Sequence, residues 1–423
     1  MGFPSLRTAQ FAAGLVDAGH EVRLALLAPD AEAASSPKEW HGPGPTAIEA
    51  VDTIRTDRAG AMEQLGRIRR EFEPDAVVTA GPFLPMALGA ALVDEEPLWI
   101  DVPGDPMAEA QARAAADGDD TLLARWFEVY GAALARGDSF SAIGERQRAA
   151  LLGALGVSGR LTGAGLGDPL VHVVRGSSEP TTWSPTRGEL ELQVPEDALV
   201  LLFSGGWNTW LDHETLVEAV LRAMQINPSI HFVATGGPIA GHHTEAFESF
   251  RATAEASDKA DRFHFLGWVD ADLLAAVYSR ADVAVCLDRR CHEAELGART
   301  RLLEAMQRGL QIASTAACEV TQRMQEEAGF SLLPSRSVAG AAEVLASLKR
   351  GPGEWGAMVA DHTVAATTEP LVRWCSDPRR GPERFDLGAA ADDERRALRD
   401  ELSAVYSTPT WRLLSRLRGK LGG

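Results

Sequence analysis

The run DALVLLFSGGWNTWLDHETLVEAVLRAM, residues 197–224, does most to limit what this chain can become. Its opening apolar residues are uninterrupted, the pattern of a strand buried on both faces, as in a parallel sheet covered by helices. Gly205 and Gly206 end that strand, and Asp212 stands where it can cap the helix that follows. The alternation then repeats: IHFVATGG, RFHFLGWV, an amphipathic stretch, ADVAVCL, and finally LQIAST. Strand and helix in turn, joined by short loops, predict a doubly wound parallel sheet. Ligands of such sheets bind beyond the carboxyl ends of the strands. A glycine turn between strand and helix offers main-chain N–H groups to a phosphate there.

The stretch CHEAELGARTRLLEAMQRG, residues 291–309, adds charge to that frame. A loop with two acids, Glu293 and Glu295, and with Gly297 leads into a helix start at Ala298, Arg299, Thr300 and Arg301, with Glu304 in the next turn. Unpaired N–H groups at a helix N-terminus sit at the positive end of the dipole and accept a diphosphate, which two arginines would strengthen. Glu304, an acceptor-only carboxylate, is placed to take hydrogen bonds from a ribose diol. Phosphate and ribose together predict a nucleotide. A plain amphipathic helix with a solvated charged start would show the same residues, so the context decides.

Leu303, Glu304, Ala305, Met306 and Gly309 match the L-E-A-M-x-x-G helix of the family 4 retaining glycosyltransferases, and here the chain resembles that family. The resemblance implies an α/β protein of the GT-B fold, with two Rossmann-like doubly wound domains facing a central cleft. It also implies that FLGWV supplies a base-binding turn at Gly267 and Trp268, and that Gly205, Gly206, Gly297, Ala298, Thr300 and Glu304 face the donor. Two departures stand out. The family places an acid eight residues before Glu304, where this chain has Leu296, so Glu295 or Glu293 must take the sugar-facing role. Many members carry an arginine and a lysine after the first strand of the donor domain, where this chain has Trp207, Asn208 and Trp210. Its GGWNTWLD looks like the subgroup reading GGxWxWxD there, with the first tryptophan one place earlier. The cation for the leaving diphosphate is then expected from Arg299 or Arg301, with Arg299 favoured because it lies closer to the Gly297 turn.

The chain has 423 residues, enough for two domains, with 45% apolar and 24% charged residues, as in globular proteins. A net charge of −19 disfavours nonspecific binding to nucleic acid. Cys286, Cys291, Cys318 and Cys375 show no metal-ligand spacing, so no metal is expected and a reducing compartment is. With no apolar run of about 20 residues and no leader pattern, a cytoplasmic location is the expectation.

The first 165 residues read as a second Rossmann-like unit, the acceptor domain. A glycine and proline loop leads to a helix over 5–18 and a strand over 21–27, yet no strand precedes them; the resemblance implies that a central strand is missing ahead of Gly2. Gly2 and Arg7 are then expected at the cleft. A strand near residues 97–101 opens onto Asp101, Asp105 and Glu109, with the last two one helical turn apart. Acids at a strand end can accept hydrogen bonds from a sugar hydroxyl and assist proton removal. Residues 166–197 are expected to link the halves, 198–365 to form the donor domain, and 366–423 to hold a helix returning to the first half and a basic tail. That tail carries Trp411, Leu413, Leu414 and Leu417 among Arg412, Arg416 and Arg418, a pattern that can lie on an anionic membrane.

The implied activity is transfer of a sugar, with retention, from a nucleotide-diphospho-sugar co-substrate to a saccharide or lipid-linked acceptor, with no further cofactor, in polysaccharide or glycoconjugate synthesis. A silent GT-B binding subunit and a GT-B sugar-nucleotide epimerase are the other classes compatible with the motifs.

Overall fold

The computed structural model describes residues 3–27, 40–41, 47–48, 51–54, 58–81, 83–178, 194–239, 244–385 and 387–408. In the first half the elements run α1 (Phe3–Asp17), β1 (Leu24–Leu27), β2 (Trp40–His41), β3 (Ala47–Ile48), β4 (Val51–Ile54), α2 (Arg58–Phe72), β5 (Val77–Thr79), α3 (Leu84–Leu92), β6 (Leu98–Val102), α4 (Pro106–Asp117), α5 (Thr121–Arg136), β7 (Ser139–Ala142), α6 (Glu145–Val157) and β8 (Val171–Val173). The strands β5-β6-β7-β8 form a parallel sheet in sequence order, and β1 pairs in parallel with β4. Every residue of β6 and β7 is buried, as a strand covered on both faces requires.

The two parallel sheets of this half share one layer. Val22 packs with Val78 and Ala80 under Phe11 and Leu15 of α1, while Ala25 and Leu27 point the other way, to Ile68 of α2 and Leu88 of α3. That alternation is the period of two expected of a strand. Among the described residues no ladder joins β1 to β5. Gly2, and any strand ahead of it, lie outside the described residues.

The second half runs β9 (Leu199–Phe203), α7 (His213–Ile226), β10 (Ile230–Thr235), α8 (Glu245–Glu255), β11 (Phe263–Gly267), α9 (Ala271–Arg280), β12 (Val283–Cys286), α10 (His292–Leu296), α11 (Thr300–Gln307), β13 (Gln311–Ser314), α12 (Glu319–Met324), β14 (Phe330–Leu332) and α13 (Val338–Ser347). Its six parallel strands lie in the order β11-β10-β9-β12-β13-β14. The first strand is therefore central, and the order reverses between β9 and β12, the switch point where such sheets bind ligands. Asp212 caps α7 by accepting from the Thr215 N–H at 3.3 Å, as its position predicts.

The chain then forms α14 (Met358–Asp361), α15 (Val364–Ser376) and α16 (Leu387–Ser407). Helix α15 returns to the first half, where its Leu371 is buried with Phe11, Leu15, Trp99 and Val174. Three local expectations need correction. The acid-rich loop before α11 is a short helix, α10, with Glu293 buried. The span expected as linker contains β8, whose valines complete the first sheet, while residues 179–193 lie outside the described residues. The span 366–423, expected to hold one returning helix and a basic tail, holds a second helix as well, because α16 begins at Leu387; the basic tail beyond residue 408 lies outside the described residues.

Candidate functional site

Three strand ends build a floor at the switch point. Beyond β9, Gly205 has φ of +100°, a left-handed conformation that glycine adopts without the usual cost. Beyond β10, Gly236 has φ of +78°, and a Cβ on it would lie 2.3 Å from the Gly205 carbonyl oxygen, so only glycine lets the two turns touch. The Gly236 N–H in turn donates at 2.6 Å to the carbonyl of Gly267, the last residue of β11. Trp268 extends from that third turn. It is 57% exposed, donates from Nε1 to the Pro238 carbonyl at 3.3 Å, and its ring edge lies 3.8 Å from where a Gly206 Cβ would be. Trp268 and the glycine turn are thus neighbours. Trp207, at the position where the resemblance implies a cation, points away: it is fully buried against Phe203, Phe247 and Phe250.

The two arginines of the RTR run diverge, as side chains two apart on a helix must. Arg299, 5% exposed, spends its guanidinium inside the protein. Its Nε bonds both Asp288 oxygens at 2.9 Å, and Nη1 and Nη2 bond Glu293 at 3.3 and 2.9 Å. The reading that favoured Arg299 for the diphosphate is therefore corrected: all three of its nitrogens are held by two buried carboxylates. Arg301 instead reaches the glycine turn. Its Nη2 donates to the Gly206 carbonyl at 2.7 Å, its guanidinium carbon lies 4.5 Å from the Phe203 ring centre, and its buried Nη1 has no partner.

Around this pair, Gly297 has a steric reason to be glycine, since a Cβ there would lie 2.6 Å from Glu293 Oε1. Ala298 packs on the core, and Thr300 opens α11 close to Gly176 of the first half. Glu304 is one turn along; its Oε1 accepts from Arg308 Nε at 3.3 Å and Nη2 at 3.0 Å, and its side chain is 30% exposed. Glu295 is solvent-facing, 3.8 Å from His292 Nδ1. Burial pushes the Glu293 carboxyl above its ordinary range, against the pull of Arg299.

The first half contributes less to the cleft than its sequence predicts. Arg7 is 1% exposed and bonds Asp101 through Nε at 2.9 Å and Nη2 at 2.8 Å, with the Arg175 and Val174 carbonyls taking two further N–H groups. Asp101 is fully buried and also accepts from Ser141 at 2.5 Å. Both residues, expected at the cleft, instead tie α1 to β6 and to the segment after β8. Asp105 caps α4 by accepting from the Ala108 N–H at 2.8 Å. Glu109 is the exception. Burial, then the nearby Glu293 charge, pushes its carboxyl up to about 7, with Arg113 acting against them. It therefore faces the second half with a pKa near neutrality, where a carboxyl can accept or release a proton.

Sequence reasoning missed Asp288, two residues beyond β12. An acid just past an apolar strand was the available signal. It also missed Arg175, Glu319 and His362, which meet only in the folded chain.

A family model described as Glycosyl transferases group 1 matches residues 198–350. Over 93% of its length the chain is similar in structure to sucrose-phosphate synthase from Thermosynechococcus elongatus, at 16% identity, 92% coverage of that chain and a TM-score of 0.56. It is similar over 93% to WaaG, a glycosyltransferase involved in lipopolysaccharide biosynthesis, at 15% identity, 96% coverage of that chain and 0.55. It is also similar over 84% to Anabaena Alr3699/HepE in complex with UDP-glucose, at 15% identity, 86% coverage and 0.51. No curated protein matches the sequence. The fold is GT-B, and its second half carries the group 1 glycosyltransferase pattern.

Proposed function

We propose that this protein is a glycosyltransferase that moves a sugar from a nucleoside-diphosphate sugar, seated on the second sheet, to an acceptor hydroxyl held by the first half. Arg301 carries the reading: a guanidinium anchored to Gly206, with a buried unpartnered nitrogen, beside a glycine turn at the switch point. A diphosphate placed there meets Arg301 and the start of α11. Glu304 takes the ribose hydroxyls, and the Gly267–Trp268 turn takes the base. Alr3699/HepE in complex with UDP-glucose has the same fold, which supports a donor of this class.

In this reaction the acceptor oxygen bonds the anomeric carbon as the bond from that carbon to the diphosphate oxygen breaks. Retention follows from attack on the face the diphosphate leaves, with the hydroxyl proton passing to the departing diphosphate. Charge grows on that group toward the transition state, so the preorganised Arg301 cation contributes most there. Glu109, half-buried opposite Glu293, orients the acceptor hydroxyl. Polysaccharide, lipopolysaccharide or glycoconjugate synthesis is the setting that suits such a transfer.

A thermal-shift panel of nucleotide-sugars tests the reading, because a specific ligand stabilises by mass action. One donor should raise the melting temperature of the wild type, and Glu304→Gln should weaken that donor about ten- to a hundredfold. A panel with no responding donor would count against the proposal.

A further inference from the structure

The Glu304 carboxylate is half taken before any ligand arrives. Its Oε1 accepts twice from Arg308, from Nε at 3.3 Å and from Nη2 at 3.0 Å, while among the described residues no hydrogen bond reaches Oε2. A carboxylate oxygen offers about two acceptor positions, so Oε1 is filled and Oε2 is open.

Several contacts hold Arg308 in that place. It follows Glu304 by four residues and caps the carboxyl end of α11, the order in which a helical acid and base pair best and the end at which a cation is favoured. Its guanidinium carbon lies 4.7 Å from the centre of the Tyr278 ring in α9, a ring that is itself buried. The arginine side chain is only 15% exposed, and a cation over an aromatic face gains more from that contact when it is largely out of water. The pair therefore fixes what Glu304 can offer a nucleotide. The two hydroxyls of a ribose fit a carboxylate best with one on each oxygen, and one oxygen is occupied.

We infer that Arg308 sets the pentose specificity of the nucleotide site: it confines Glu304 to a single hydroxyl, so that a 2′-deoxyribonucleoside diphosphate donor is accepted nearly as well as its ribose counterpart. The inference rests on the reading that Glu304 meets the ribose. A 2′-deoxyribose still carries its 3′-hydroxyl, and that one O–H fills Oε2. The second hydroxyl of a ribose finds Oε1 occupied and gains little; without Arg308 it would gain a hydrogen bond to a charged acceptor. Arg308 touches no reacting atom in this account. It is a positioning residue that acts through Glu304.

Isothermal titration of the full chain with ribonucleoside diphosphates and their 2′-deoxy counterparts, matched base by base, tests this. For the base that binds, the two wild-type dissociation constants should agree within about fivefold. In Arg308→Met, whose side chain can keep the contact with Tyr278, the ribose form should gain about tenfold over the deoxy form, the worth of a hydrogen bond to a charged group. An arginine that served the fold alone would shift both affinities together and leave their ratio as it was. Glu304→Gln should weaken both ligands. A larger wild-type preference for either form overturns the inference, and so does a folded Arg308→Met that keeps the wild-type ratio. Should Arg308→Met fail to fold, the wild-type ratio decides alone. Binding of neither form of any base, or affinities that Glu304→Gln leaves unchanged, would instead strike the reading of the ribose site, and this inference with it.

Discussion

Arg299 and Arg301 differ by two positions and by everything that matters to the site. The sequence places both at a helix start and cannot say which guanidinium turns inward, because that depends on Asp288, beyond a different strand. Arg299 holds two buried carboxylates, so Arg299→Ala should leave both uncompensated and cost about 3–5 kcal/mol of stability, read from chemical denaturation. A variant as stable as wild type would mean that the ion cluster is not structural. Glu109 makes a prediction in pH. Its folded pKa, about 7, lies above the ordinary 4.5, so the folded state holds the extra proton between those values. Stability from this group is full below about 4.5 and is lost as pH rises toward 7. The pH dependence of the melting temperature should therefore flatten over that window in Glu109→Gln; an identical slope in wild type and variant would show that the carboxyl is not held up.

At the scale of elements, the strands of the second half are legible because burial on both faces forces continuous apolar runs, as in ALVLLF. The glycine turns were legible as turns, but not their mutual contact. Gly236 lies 31 residues past Gly205 in sequence, yet the missing Cβ is what lets it pack on the Gly205 carbonyl. Gly236→Ala combines that clash with a left-handed φ and should cost about 1–3 kcal/mol. It should also weaken donor binding, since the floor of the site moves; unaltered urea midpoint and donor affinity would refute the packing argument. Helix α10 was hidden for a different reason. Five residues carry too little periodicity to separate a short helix from a loop.

Across the whole molecule, what the sequence withheld is long-range. Arg7 and Asp101 look like cleft residues because each follows or precedes a glycine-bearing loop, but they pair with each other inside the first half. Helix α15 closes back on that half through Leu371, and Leu371→Ala should cost about 2–5 kcal/mol by opening a cavity against Phe11, Leu15 and Trp99. A loss below that range would place the returning helix outside the core of the first half. The central claim is that Arg301, at the switch point of the second sheet, stabilises a departing diphosphate. Steady-state kinetics of Arg301→Gln, with the donor that stabilises the wild type, measure it most directly. The account predicts that kcat falls about a hundredfold or more while the donor KM changes far less; a wild-type kcat in that variant would contradict it.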